Sequence, residues 1–278
     1  MTRRIKLTRR QIILATAAAS LALSANRIAA APAKKDVVIL GATAQSAPEL
    51  IKQALAQGRQ VRAVARRPDA ITIEHPNLRV LKGDVREPES LEAAFTGKEV
   101  VISLVGPRID PRKEINSIDL YSLGTTNIVN AMKKMGNKRL LVCSSIGIRN
   151  QPTEKPNSDD IARMAQWNTR KLYADMIAME KIVRASGLEY VILRPGRLMD
   201  VPARHNLRFA VEELTMPKTN PIITIADFAQ FVLTLVEGTK YLGTAVAIFS
   251  DVQGTWGRNL SFEEMWKLRE SQGPIDVY

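Results

Sequence analysis

The residues best placed to do chemistry in this chain are a glycine in a turn and an arginine pair beyond it. Asp36 to Ser46 carries an apolar run (Val37, Val38, Ile39, Leu40) that ends at Gly41 and a polar turn. Ser46-x-x-Glu49 follows, ahead of Leu50, Ile51, Ala54 and Leu55 at helical spacing. Four buried-type residues closed by glycine predict a strand covered on both faces, and the Ser-x-x-Glu spacing predicts a capping box at a helix start. Strand, tight turn and helix N-terminus aim free N–H groups and the positive end of a dipole at one point, an arrangement suited to holding a pyrophosphate. The usual dinucleotide turn has three glycines. Here the first is Gly41, and Ala44 and Ala47 stand where the others would fall. Each alanine adds a Cβ at a close approach, Pro48 removes an N–H, and Glu49 brings a negative charge near the anion site.

Gln60 to Ala65 alternates as a second strand and ends in Arg66-Arg67-Pro68. An acid about 20 residues beyond such a turn accepts ribose hydroxyls, whereas arginine there accommodates a 2′-phosphate. Arg66 or Arg67 therefore favours NADP over NAD, because a guanidinium pairs bidentately with phosphate and stacks on adenine; the other reading is a solvated basic pair. Tyr173 is a candidate proton donor, but Ile177 stands four residues on, where a lysine would lower a phenol's pKa. An ordinary helix tyrosine is the preferred reading. Ser144 and Ser145 are candidate nucleophiles without a nearby histidine, so strand-end serines contacting a cofactor fit better. Cys143 lies inside an apolar run and reads as an inert core thiol. Trp256 and Trp266 read as packing anchors. His75 and His205 without cysteine clusters make no metal site.

These residues need a scaffold, and the chain alternates strands with helices. Leu78–Lys82, Val100–Leu104, Arg139–Ser145, Leu188–Arg194 and Ala245–Phe249 predict further strands, with Pro195-Gly196 stopping the next-to-last. Residues 90–95, 121–135, 161–186, 224–236 and 261–271 predict helices, and 107–118 and 149–160 predict loops. This alternation predicts an α/β fold with a Rossmann-like, doubly wound parallel sheet and right-handed crossovers. A single nucleotide-binding domain over 34–278 would carry a small C-terminal extension from about 196, on the substrate side. One cysteine excludes an internal disulfide.

The net charge is +12 in 278 residues, and half of it comes from Arg3, Arg4, Lys6, Arg9, Arg10 and Arg27, with no acid before residue 34. Beyond that point bases and acids intermix and aromatics are few, so no nucleic-acid surface is expected. Residues 1–33 combine a basic start, an Ala-rich apolar run over 12–25 and Ala31-Pro32-Ala33. This is the layout of an export signal, too short and too weakly apolar to span a membrane. Thr8-Arg9-Arg10-Gln11 resembles a twin-arginine motif, which predicts a periplasmic destination. An organelle presequence or a plain basic tail are the alternatives.

From Asp36 to about Phe249 the sequence resembles the atypical short-chain dehydrogenase/reductases, in their NAD(P)H-binding, NmrA-like and flavin/biliverdin-reductase-like branch. The blocks that carry the likeness are 37–43, 64–69, 83–85, 124–132, 144–147, 180–188 and 192–196. The resemblance implies a pyrophosphate lined by Gly41, Thr43, Ala44, Gln45 and Ser46, a 2′-phosphate at Arg66, and adenine between Asp84 and Val85. It further implies that Leu104, Val105 and Gly106 lie under the nicotinamide ribose, with Ser144, Ser145 and Pro195 near the nicotinamide. The function implied is NAD(P)H-dependent reduction of a small conjugated acceptor such as a flavin, quinone or enone, with NADPH as donor. The alternative, motivated by Ala44, Ala47, Pro48, Glu49 and the missing lysine, is a non-catalytic redox-sensing or assembly protein on the same fold.

Overall fold

The computed structural model describes residues 34–149, 151–212 and 221–250. The leader at 1–33, the helix expected over 261–271, and Trp256 and Trp266 lie outside the described residues.

The chain runs β1 (Val37–Leu40), α1 (Ala47–Ala56), β2 (Val61–Ala65), β3 (Leu78–Lys82), α2 (Pro88–Glu92), β4 (Val100–Ser103), α3 (Leu120–Met135), β5 (Arg139–Cys143), α4 (Ile161–Arg184), β6 (Glu189–Pro195), β7 (Arg197–Met199), β8 (Leu207–Val211), β9 (Ile222–Thr224), α5 (Ile225–Glu237) and β10 (Thr244–Ser250). The main sheet has the order β3-β2-β1-β4-β5-β6-β10-β8. Its first seven strands are parallel, which is the Rossmann-like arrangement the alternation predicts.

Alternation along β1 explains why both faces are covered. Val37 and Ile39 join a core with Leu50, Ile51, Phe228 and Val232, from α1 and α5. Val38 and Leu40 join the opposite core with Leu91, Ile128, Met132 and Met179, from α2, α3 and α4. Each such side chain, fully buried, stabilises the fold by about 1.5–3 kcal/mol, so a β1 with all four side chains at 0% exposure anchors both layers at once.

Several local expectations fail, each for a physical reason. β8 pairs antiparallel with β10 at the sheet edge, and β7 and β9 form a separate parallel pair. β7 and β9 carry too few residues for a periodic signal, and β8 buries no residue fully, so it lacks an apolar face to read. Pro195 ends β6 without breaking it: it is opposite Ile248, whose carbonyl accepts from the Gly196 N–H. The capping box at α1 does not form. Ser46 makes no side-chain cap bond, and Glu49 Oε1 instead accepts from Gln53 Nε2, one turn along the helix. Gln53 also donates to the Ala226 carbonyl, joining α1 to α5. At α5 the cap is reciprocal: Thr224 Oγ1 accepts from the Asp227 N–H and donates to its carboxylate.

A polar clamp closes the amino ends of the parallel strands. Arg59 holds Glu237 and the Lys35 carbonyl, and Arg62 and Asn137 both reach Glu99, just before β4. Arg139, at the start of β5, pairs with Glu189 and donates to the Leu235, Val236 and Gly238 carbonyls at the end of α5. That cation satisfies acceptors the helix leaves open.

Candidate functional site

At the other end of the sheet, beyond the carboxyl ends of β1, β2, β3 and β4, lies an open cleft. This is where open α/β sheets bind ligands. Gly41, Thr43, Ala44, Val64, Ala65, Arg66, Gly83, Asp84, Val85, Leu104, Val105, Gly106 and Pro107 are among the residues lining it.

The turn that forms its floor depends on Gly41. Its φ of +72° is in the left-handed region, and a Cβ there would sit 2.9 Å from the Val105 amide nitrogen. The turn closes through Ala44 N–H to the Gly41 carbonyl and Ala47 N–H to the Ala44 carbonyl. The two alanines take different places. Ala47 is fully buried and packs in the α1 core, so its methyl is absorbed as helix–sheet contact. Ala44 lines the cleft. Glu49, in the first turn of α1, accepts a hydrogen bond from Gln53 one turn along the helix.

The structure thus brings nine of the cofactor-binding candidates into one cleft: Gly41, Thr43, Ala44, Arg66, Asp84, Val85, Leu104, Val105 and Gly106. Of the arginine pair, Arg66 stands on the wall and is exposed, while Arg67 begins the short helical turn that follows. The Asp84 N–H is held by Ser90 Oγ, and the Val85 carbonyl by Asn127 Nδ2. Gln45 and Ser46 are not among the lining residues; Ser46 is buried beneath the turn.

Ser144, Ser145, Pro195 and Tyr173 lie outside the cleft lining, the serines just past β5 and the others on β6 and α4. Ser144 is 4% exposed, and its Oγ donates to Glu180 Oε1 at 2.7 Å. Glu180 also accepts from Arg194 Nε at 2.9 Å, in a pair buried on both sides. The Ser144 hydroxyl is therefore part of a buried network with Glu180 and Arg194. Pro195 is buried at the end of β6. Ser145 Oγ accepts from the Gly147 N–H at 3.0 Å. Burial raises the Tyr173 pKa above its ordinary value, partly offset by the Arg197 charge and the Ser145 hydroxyl. Burial also pushes the Cys143 thiol up to about 12, which suits an inert thiol.

Three residues near this end carry no signal in the sequence pattern. Tyr121 lies beside Gly106, Glu180 is the shared acceptor, and Arg197 follows the Pro195-Gly196 step. Only a cation directly after a strand end could have pointed to Arg197. Among the described residues no group of His, Cys, Asp and Glu could hold a metal ion, and no helix is long and apolar enough to cross a membrane.

A mostly parallel sheet with a glycine turn under a cleft at its carboxyl ends defines a dinucleotide-binding class of protein. The chain belongs to the NAD(P)H-binding family, whose model matches residues 41–239, and its likeness to atypical short-chain dehydrogenase/reductases holds. It is 28% identical over 194 residues to an uncharacterized chloroplastic protein of Arabidopsis thaliana, covering 64% of this chain and 65% of that one. The chain thus spans less than two thirds of that curated relative. Among solved structures it is similar in fold to ChuY, an anaerobilin reductase from Escherichia coli, with a TM-score of 0.60 and 21% identity over 79% of this chain and 99% of that one. A short-chain dehydrogenase/reductase from Veillonella parvula in complex with NADP aligns with a TM-score of 0.61 and 18% identity, covering 79% of this chain and 96% of that one.

Proposed function

We propose that the protein is an NADPH-dependent reductase of a small conjugated acceptor, such as a flavin, quinone or enone, and that it is exported by a twin-arginine route. The observation that carries the reductase reading is the cleft itself. One wall offers the Gly41 turn for a pyrophosphate, and another offers Arg66 at the end of β2, where a 2′-phosphate would fall. The non-catalytic alternative loses part of its ground, because Ala47 packs in the core and Glu49 is held by Gln53. The reductase ChuY and the NADP complex support the reading by analogy of fold. The export reading rests on the sequence of residues 1–33 alone.

In this reading bound NADPH supplies a hydride, and the protein supplies placement and electrostatics. The Gly41 turn and the start of α1 hold the pyrophosphate, Arg66 holds the 2′-phosphate, and Leu104, Val105 and Gly106 bound the ribose side. Calorimetry with NADPH and NADH tests it. Arg66→Ala is expected to weaken NADPH by about tenfold, the loss of a charged contact of roughly 1.4 kcal/mol, and to leave NADH unchanged. Equal loss for both nucleotides would remove Arg66 from the 2′-phosphate, and no binding of either would sink the reductase reading.

A further inference from the structure

The connection from β4 to α3 begins and ends on the cleft, since Pro107 and Leu120 both line it. Between them the chain is held by α4 through a regular set of polar contacts. Asn168 Nδ2 donates to the Pro111 carbonyl at 3.0 Å, and the Asn168 carbonyl accepts from the Ile115 N–H at 2.9 Å. Lys171 Nζ donates to the Asn116 carbonyl at 2.7 Å. The Asp175 carboxylate accepts from the N–H groups of Tyr121 and Ser122, at 2.8 and 3.2 Å. Asn168, Lys171 and Asp175 are spaced by one helical turn each, which sets them on one stripe of α4. Each of these bonds goes to the main chain of the connection, so the grip does not depend on its side-chain types. Ile109, Ile115 and Ile118 pack on the core beneath.

Asp175 takes the part of a helix cap. The first turn of α3 leaves N–H groups open, and Asp119 at the cap position makes no side-chain cap bond but pairs with Arg86. Asp175, 7% exposed, fills that place from another helix and sets a negative charge at the positive end of the α3 dipole. The same turn bears on the cleft twice. Leu120 lines it, and the Tyr121 hydroxyl lies 3.1 Å from where a Cβ on Gly106 would fall.

We propose that α4 holds residues 107–122 as a standing wall of the nucleotide cleft, and that Asp175 is a positioning residue for NADPH, acting through Leu120 and Tyr121. This rests on the reductase reading above and adds what shapes its cofactor site. A connection already fixed by α4 has little ordering left to undergo when a nucleotide enters, so that entropy is lost on folding and not on binding. Freeing the Tyr121 and Ser122 N–H groups lets the first turn of α3 fray, and Leu120 then leaves the wall. Asp175 also closes the α3 N-terminus to a second anion, because its own charge is already there. The pyrophosphate is thereby directed to the Gly41 turn and the start of α1.

The test uses the full chain and the variants Asp175→Asn, Asn168→Ala and Glu99→Gln, the last lowering stability from the far end of the sheet. Asp175→Asn keeps one acceptor and sets an amide donor against the other N–H. The first readout needs no nucleotide: hydrogen exchange over residues 111–122 of the ligand-free protein, followed by mass spectrometry. These amides are expected to be protected in the wild type, to exchange at least about tenfold faster in Asp175→Asn and Asn168→Ala, and to keep their rates in Glu99→Gln. The second is calorimetry with NADPH. Both α4 variants are expected to bind about five- to tenfold more weakly, with a less favourable entropy, while Glu99→Gln binds as the wild type does. Wild-type exchange in both α4 variants overturns the standing wall. Faster exchange with wild-type NADPH affinity overturns the positioning role alone, as does an equal weakening in Glu99→Gln, which would trace the effect to stability. A wild-type protein that binds no NADPH overturns the positioning role together with the reductase reading.

Discussion

At the residue scale, position 41 separates what a turn requires from what a cleft requires. Gly41 and Gly58 both have positive φ, +72° and +77°, but a Cβ at Gly58 meets nothing within 4 Å, whereas one at Gly41 runs into the Val105 backbone. Gly58→Ala should therefore cost only the left-handed penalty, about 1 kcal/mol. Gly41→Ala should cost that plus displacement of the β4 end, roughly 2–4 kcal/mol in all, and NADPH binding with it. Urea unfolding of the two variants, with a nucleotide titration of each, checks the difference. If both lose the same stability, the Val105 contact carries no weight.

At the element scale, α4 ties β6 to the residue that follows β5. Glu180 accepts from Ser144, just past β5, and from Arg194 on β6, and all three side chains are buried. Glu180→Ala leaves a buried guanidinium without its counter-charge and should destabilise the protein by about 3–5 kcal/mol. Ser144→Ala removes one hydrogen bond and should cost about 1 kcal/mol. Denaturant midpoints read both, and a mild Glu180→Ala would mean that water reaches Arg194. This network also shows why the sequence was only partly legible. Gly41 could be read because φ restricts residue type, and β1 could be read because four buried side chains leave a continuous apolar run. The partner of Ser144 lies 36 residues away, so the pairing leaves no local pattern. The α1 capping box failed because Gln53 offered Glu49 a competing donor one turn on. β7 and β9, at 3 residues each, were too short to register, and β8 is an edge strand with no buried residue to mark it.

At the scale of the whole molecule, acid is the condition most damaging to the clamp. For Glu99, burial pushes the pKa up, but bonds from Thr96, its own backbone and Asn137 outweigh it and leave the carboxyl below 4.5. Glu237 is lowered in the same way by Arg59 and the Lys35 N–H, against its own burial. A carboxylate whose folded pKa is depressed binds fewer protons than in the unfolded chain, so its contribution is present above the ordinary glutamate value and lost as pH falls through and below it. The thermal midpoint should be level from pH 7 to about 5 and fall steeply below about 4.5, and Glu99→Gln should flatten that fall. An unchanged slope in Glu99→Gln would remove this residue from the acid response. The clamp lies at the amino ends of the strands, while the cleft lies towards the carboxyl ends. The groups that hold the sheet together and those that line the cleft are therefore written at opposite ends of one sheet, so substitutions that reshape the cleft leave the means of staying folded in place.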